Sequence, residues 1–328
     1  MPKARRGSTG LSGILALDKP RGNTSHDVIS AVRSISGEGR VGHAGTLDPL
    51  ATGVLLVCLG PATRLADYLM GHDKSYEARI VFGTATNTDD AEGELVRRLP
   101  LPARLDDAAF ASSFLEGLLG EQQQVPPQFS ALKKDGKTAY NVARAGGRVE
   151  LAPRLVRVET AQLLAIGEGY WDVRFVVSKG TYIRSLARDI GEALGSCAHL
   201  GALRRTAAGA VSIEQTITLE DVKGATALDG LFIDPVQALG FPVLELDEQR
   251  AGFVEQGRSL DRGMGLAQGY EALLPLSREE TRIARQTGAD SLVALVRDGL
   301  LLALYHPDVM RQRLVPRVVI PGGVKGVR

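Results

Sequence analysis

Apolar and polar positions along the chain fall into short, bounded segments. "SHDVISAVRSISG" places Val28, Ile29, Val32 and Ile35 at helical spacing, which predicts an amphipathic helix. Ser25 is its expected cap, Asp27 suits the positive end of its dipole, and Gly37 ends it. Two segments alternate instead. "SYEARIVFG" puts Tyr76, Ala78, Ile80 and Phe82 on one face, and "WDVRFVVSKG" does so with Trp171, Val173, Phe175 and Val177. Successive side chains of a strand point to opposite faces, so both predict half-buried strands. "GILALDKPRG" reads as a short strand closed by the Lys19-Pro20 turn, and "GVLLVCLG", apolar between glycines, as a buried strand. "TRLADYLMG" predicts a short helix stopped by Gly71. "IRSLARDIGEALG" predicts a helix with Ile183, Leu186, Ala187, Ile190 and Leu194 turned inward.

Strands are grouped and helices attached, without strict βαβ alternation, which indicates an α+β fold. The pattern changes near residue 240. "GFPVLELDE" begins a β-rich stretch, "LVALVRDGLLLALYHP" carries a hairpin signal at Asp298-Gly299, and "LVPRVVIPGG" reads as a final strand. A first domain over 1–240 and a small β domain over 241–328 are expected. "LPLSREETRIARQTGAD" has no pattern that places it.

The chain has 328 residues, 44% hydrophobic and 23% charged, with net charge +1. That length admits two domains and that composition a buried core. The near-neutral total hides a local excess. Lys133, Lys134, Lys137, Arg144, Arg148, Arg154 and Arg157 face only Asp135 and Glu150 within their stretch. Such a surface suits a polyanion laid across one face, and also an ordinary solvated surface. Cys58 and Cys197 make no disulfide framework; Cys58 is expected as a small buried apolar residue. No signal peptide is read at the N-terminus, and no stretch reaches the roughly 18 apolar residues of a membrane span. A cytoplasmic protein is expected.

The chemistry concentrates in "GHAGTLDPLATG". A phosphate cradle is disfavoured: "GEGRVG", spelled like a dinucleotide fingerprint, follows a helix rather than a strand, and the loop has no Walker lysine. His26, His43, His72, His199 and His306 lack ligand spacing, so no metal site is expected. The G-x-S-x-G elbow is missing. Asp48 remains. It is either a turn former before proline or a carboxylate presented on a tight, glycine-shaped backbone. A lone carboxylate suits a nucleophile or a base.

"GHAGTLDPLATGVLLVCLGPATRL" closely resembles the catalytic segment of the TruB-type pseudouridine synthases, bacterial enzymes acting on uridine 55 of tRNA. "GILALDKPRGNTSHDVI", "DKSYEARIVFGTATNTDDAEG", "VPPQFSALKKDGKTAYNVARAG", "SKGTYIRSLARDIGEALG" and "AHLGALRRTAAG" resemble further blocks of that family, in its order. The resemblance implies a mixed, largely antiparallel sheet with flanking helices, followed by a small RNA-binding β domain of the PUA type. It implies isomerisation of a T-arm uridine to pseudouridine by base flipping, with no cofactor, by a monomer whose partner is tRNA.

Carried over residue by residue, the resemblance makes Asp48 the catalytic aspartate and Arg184 its paired cation. Tyr76 stacks on the base and assists at C5. Tyr182 and Leu203 line the uracil pocket. His43 wedges into the T-arm loop, and Lys19, beside Pro20, supports the loop or backbone near the site. Two other activities are weighed against this reading. A synthase acting on another RNA, such as ribosomal RNA, is disfavoured by the order of the blocks. A tRNA-binding or remodelling protein is disfavoured by the intact Asp48, Tyr76 and Arg184 set.

Overall fold

The computed structural model describes residues 9–130, 132–134, 137–147, 149–261, 292–308, 311 and 313–328. Among these, the main sheet has nine strands. They are β1 (Gly13–Lys19), β2 (Val41–His43), β3 (Thr52–Leu59), β4 (Lys74–Phe82), β7 (Gly120–Gln124), β10 (Arg154–Gly167), β11 (Tyr170–Val177), β12 (Ala198–Ala208) and β13 (Val211–Ser212). Two short ribbons, β5 (Thr84–Thr86) with β6 (Leu95–Arg98) and β8 (Lys133–Lys134) with β9 (Lys137–Thr138), lie outside it. The order is β1-β3-β12-β4-β11-β10-β7, with β2 beside β3 and β13 beside β12. Pairing is antiparallel except where β12 runs parallel to β3, through Arg204 opposite Thr52 and Arg205 opposite Gly53.

The alternating segments pair with each other. Phe175 of β11 lies opposite Tyr76 of β4, and Val173 opposite Ala78. Their inward residues join a core against helices α1 (Ser25–Ser36), α3 (Ala108–Glu116), α5 (Ile183–Ala193) and α6 (Leu219–Gly224). Trp171 is fully buried there beside the Phe82 and Phe114 rings. Its indole N–H donates to Leu105 O at 2.8 Å, so a large apolar side chain is buried with its polar atom satisfied.

The first helix starts differently from expectation. Thr24, not Ser25, is the cap: its hydroxyl accepts from Asp27 N while the Asp27 carboxylate accepts from Thr24 N. This reciprocal box satisfies two orphan amides at the helix start. Ser25 is freed for another task, described below. Gly37 ends the helix at φ 67°, a left-handed conformation that glycine adopts without penalty. The "GEGRVG" stretch then leads into β2, so no helix opens from it. Short helices α2 (Ala66–Met70) and α4 (Ala139–Arg144) complete this part, with Gly71 at the end of α2.

After α7 (Pro235–Leu239), the C-terminal part forms its own sheet: β14 (Val243–Glu245), β15 (Leu260–Asp261), β16 (Val293–Arg297), β17 (Leu300–Asp308) and β18 (Arg313–Lys325). Its order is β14-β16-β17-β18-β15, and α8 (Glu248–Glu255) packs on one face. The β16–β17 hairpin turns on Asp298 (φ 50°) and Gly299 (φ 73°), the doubly positive pair that a tight hairpin turn demands. The unplaced segment from 274 to 290 lies outside the described residues.

The cores do not divide at residue 240. Ile14, Ala16, Val54, Leu56, Cys58, Ala62 and Leu65 share one apolar cluster with Ala294, Val296, Leu301, Leu304, Ile320 and Val324. Ser12 Oγ donates to Gly323 O at 2.7 Å, and Lys325 N donates to Ser12 O at 2.9 Å. Cys58 is buried there, as its apolar surroundings predict, and those surroundings push its thiol up to about 12.

Candidate active site

The Asp48 loop runs between β2 and β3 and is held from outside itself. Leu47, Leu50 and Ala51 are buried in the main core, so the loop is anchored by apolar side chains on both sides of Asp48. Ser25, next to the α1 cap, accepts from Leu47 N at 2.8 Å and donates to Leu47 O at 3.0 Å. Gly22 N donates to Pro49 O at 2.8 Å. The turn carrying Gly22 is itself held by Lys19, whose ammonium donates to Pro20 O at 2.9 Å and Asn23 O at 2.6 Å.

Arg205 completes the clamp. Its side chain is buried, and its guanidinium donates to Val54 O at 2.6 Å, Gly45 O at 3.2 Å and Thr46 O at 3.4 Å. The parallel contact of β12 with β3 brings it there. Gly53, at φ 102°, makes that contact possible: a Cβ at this position would stand 2.2 Å from Arg205 O. Glycine is used because another backbone must come close.

From this scaffold Asp48 meets Arg184. Arg184 Nε stands 2.9 Å from Asp48 Oδ2, and Nη2 donates to Oδ1 at 3.1 Å. Both carboxylate oxygens are thus held by one planar fork, the geometry that arginine favours. Arg184 lies in the first turn of α5 with only 7% of its side chain exposed. It also donates to Thr88 O at 3.1 Å and Phe129 O at 3.0 Å, and lies 3.7 Å from the buried Asp90 carboxylate. Asp90 is fixed by Thr88 Oγ1 at 2.6 Å and Glu92 N at 3.1 Å.

Asp48 keeps 36% of its side chain open, so the carboxylate is paired on one side and accessible on the other. The protein packed around it pushes its pKa up. The Arg184 charge opposes this, Asp90 reinforces it, and the net direction is upward. Lys19, close enough to favour the Asp48 anion, is itself held below the usual lysine range by burial.

The other expected residues lie on β4, β12, the start of α5 and the end of β2. Tyr76 on β4 lies opposite Arg205 on β12, and Leu203, two residues before Arg205, lies opposite Ala78. Tyr76 and Leu203 therefore share the sheet face that also carries Arg205. Both are nearly buried, at 8% and 9% exposure, in the cluster containing Leu47, Leu50 and Ile183. Tyr182 is the cap residue of α5, two positions before Arg184. Gln124, buried in β7, fixes it: its amide nitrogen donates to Tyr182 O at 3.1 Å and its oxygen accepts from Tyr182 N at 2.8 Å. The Arg154 guanidinium lies 5.2 Å from the centre of the Tyr182 ring. His43 ends β2, opposite Val57 and just before the loop.

Part of the basic stretch is paired. Arg157 lies 3.9 Å from Asp73 and also meets Glu159. The side chains of Lys133, Lys134, Lys137 and Arg148 lie outside the described part of the structure.

Sequence reasoning missed Arg205, Ser25, Gln124 and Asp90 as supports of the site. A faint signal existed for Arg205. Adjacent arginines on a strand must point to opposite faces, so one member of the Arg204-Arg205 pair had to face inward. Arg204 takes the other side, with Nη2 2.8 Å from Asp18 Oδ2.

The TruB family pseudouridylate synthase N-terminal domain matches residues 33–183, and the tRNA pseudouridylate synthase B C-terminal domain matches residues 184–234. The border between the two matches falls inside α5 and marks no break in the fold. The tRNA pseudouridine synthase B of Thermobifida fusca is 46% identical over 256 residues, covering 76% of this chain and 86% of that protein. Its counterpart in Stutzerimonas stutzeri is 43% identical over 270 residues, covering 79% and 86%. A chain in a crystal structure of a Cbf5-Nop10-Gar1 complex superposes with a TM-score of 0.65 at 25% identity, over 94% of this chain and 84% of that one. Two contiguous family matches around the Asp48–Arg184 pair, and relatives aligned over most of their own length, place the chain in the TruB family of pseudouridylate synthases.

Proposed function

We propose that the protein isomerises uridine 55 in the T-arm loop of tRNA to pseudouridine, with Asp48 as the reacting carboxylate. Family membership makes the chain an RNA pseudouridine synthase acting on tRNA. In this isomerisation the C1′–N1 bond breaks, the uracil turns, C5 bonds to C1′, the C5 proton leaves and N1 takes up a proton. Three routes are open to Asp48: attack on C1′, removal of the 2′ proton to give a glycal, or addition to C6.

The observation that carries this reading is the fork of Arg184 on both oxygens of a carboxylate that still keeps an open side. Each route begins from the Asp48 anion, and a fixed cation favours that anion. Extruding a base from its stack costs a few kcal/mol and needs a pocket with stacking surfaces. Tyr76, Tyr182 and Leu203 are read as that pocket, and His43 as the wedge that fills the place of the departing base. Lys19 acts through the backbone it holds. The C-terminal part from residue 241 is read as an RNA-binding domain of the PUA type, contacting tRNA beyond the T-arm. The protein is read as a cytoplasmic monomer that needs no cofactor.

The test is release of tritium from C5 of uridine in a T-arm stem-loop, beside ribosomal RNA fragments. Release from the stem-loop alone is expected. Release from the ribosomal fragments alone overturns the tRNA assignment, and retention of label on every RNA overturns the reaction.

A further inference from the structure

His43 rests in an unusual position. Its Nδ1 is buried and has no hydrogen-bond partner among the described residues. A neutral imidazole carries one donor and one acceptor, so either tautomer leaves a polar atom unmet at Nδ1. What the ring does meet is another imidazole. The His26 ring lies 5.8 Å away, centre to centre, at an interplanar angle of 82°. This is the edge-to-face arrangement that ring pairs prefer.

The placement of His26 is fixed by its neighbour. Ser25 bonds both backbone groups of Leu47, so the first turn of α1 and the Asp48 loop are tied together. His26, exposed on that turn, is thereby stationed beside the last residue of β2. Burial, the His26 ring and the Arg205 guanidinium all hold His43 below the ordinary histidine range, which favours its uncharged form. An uncharged planar ring is the form suited to entering a base stack.

We propose that His26 is a positioning residue for His43: its ring is the wall that holds the His43 ring in one orientation at the mouth of the Asp48 loop before RNA arrives. This rests on the reading of His43 as the residue that enters the T-arm loop. Holding a side chain in its bound orientation lowers the ordering cost of association. The contribution belongs to capture of RNA rather than to chemistry at C1′.

The experiment is single-turnover pseudouridine formation on a T-arm stem-loop over a range of enzyme concentrations. His26→Ala is expected to raise the half-saturating concentration about three- to tenfold, with the saturating rate within about twofold of wild type. His26→Phe, which keeps a ring without its nitrogens, is expected to restore the wild-type value. In a His43→Ala background, His26→Ala is expected to add nothing beyond about twofold, because coupled residues are not additive. Full additivity of the two changes overturns the proposal, as does a His26→Phe variant as weak as His26→Ala. If His43→Ala itself binds RNA normally, the wedge reading fails, and that failure is seen without any change at His26.

Discussion

Arg184 grips both carboxylate oxygens of Asp48 while its own side chain is 93% withdrawn from solvent, and that grip works against the burial of the carboxylate. Burial drives the Asp48 pKa up, and Arg184 is the largest influence in the other direction. Arg184→Met removes that influence. The acid limb of the single-turnover rate is therefore expected at higher pH in the variant than in wild type, with the rate at neutral pH reduced by roughly a hundredfold. A pH–rate profile on a stem-loop checks both. An acid limb that stays in place shows that Arg184 does not set the Asp48 charge.

The same shift has a consequence for stability. A carboxyl group with its pKa raised by folding binds its proton more tightly in the folded state than in the unfolded state. Stability from this group is present below the unfolded value and is lost as pH rises through the folded one. Asp48→Asn does not titrate. Relative to it, wild type is expected to lose stability as pH rises through that window, measured by denaturant midpoints at stepped pH. A difference with the opposite slope shows that pairing with Arg184 outweighs burial.

Ser25 links the helix start to the loop, and its removal tests that link. In Ser25→Ala the buried amide and carbonyl of Leu47 lose their partner. A cost of about 2 kcal/mol in stability is expected, together with a lower saturating rate, because Leu47 immediately precedes Asp48. Thermal melts and single-turnover rates on one preparation decide the matter. A variant as stable and as fast as wild type shows the loop is shaped by its leucines alone.

The shared core changes how the C-terminal sheet is tested. Deleting residues from 241 onward removes Ala294, Val296, Leu301, Leu304, Ile320 and Val324 from the cluster they share with Ile14, Val54, Leu56 and Leu65. Each such side chain contributes about 1.5–3 kcal/mol when fully buried, so the truncated chain is expected to melt far below the full chain or to precipitate. An unchanged melting temperature shows the sheet is peripheral. RNA contact is better read from Arg311→Ala and Arg317→Ala, both at exposed positions. On the reading of this sheet as RNA-binding, both changes are expected to weaken tRNA binding and to flatten its salt dependence; unchanged affinity and salt slope in both variants would count against that reading.

Local pattern carried much of the fold because it reports burial directly. The alternation in β4 and β11, the stripe of α1 and the Asp298-Gly299 turn each depend on neighbours in sequence. Of the candidate site, the Asp48–Arg184 pair was legible, through the family's blocks. Its supports were not. Thr24 and Ser25 are both cap-type residues, and only the packed loop shows that Ser25 serves Leu47 instead. Arg205 reads as surface until β12 is laid parallel to β3, a pairing between residues far apart in the chain. Gln124 sits in a polar run, "EQQQ", whose inward member depends on the edge of the sheet and the start of α5.

Asp48→Asn separates the catalyst from the binder. The substitution keeps the size of the side chain and much of its hydrogen bonding, but removes the charge that the proposed function assigns to attack on carbon or to proton removal. Leu47, Leu50, Ser25 and Arg205 hold the loop without using the Asp48 carboxylate, so its backbone is expected to stay in place. RNA capture, assigned to His43, Tyr76, Tyr182 and Leu203, is expected within roughly tenfold of wild type, about 1.4 kcal/mol. The single-turnover rate is expected to fall at least about a thousandfold, on the order of 4 kcal/mol of transition-state stabilisation. Filter binding and pseudouridine formation on the same preparation read the two quantities separately. A variant that keeps more than about a tenth of the wild-type rate, a loss under ~1.4 kcal/mol, removes Asp48 from the chemistry and leaves its loop a structural turn. A variant that loses binding and rate together makes the carboxylate part of RNA capture instead.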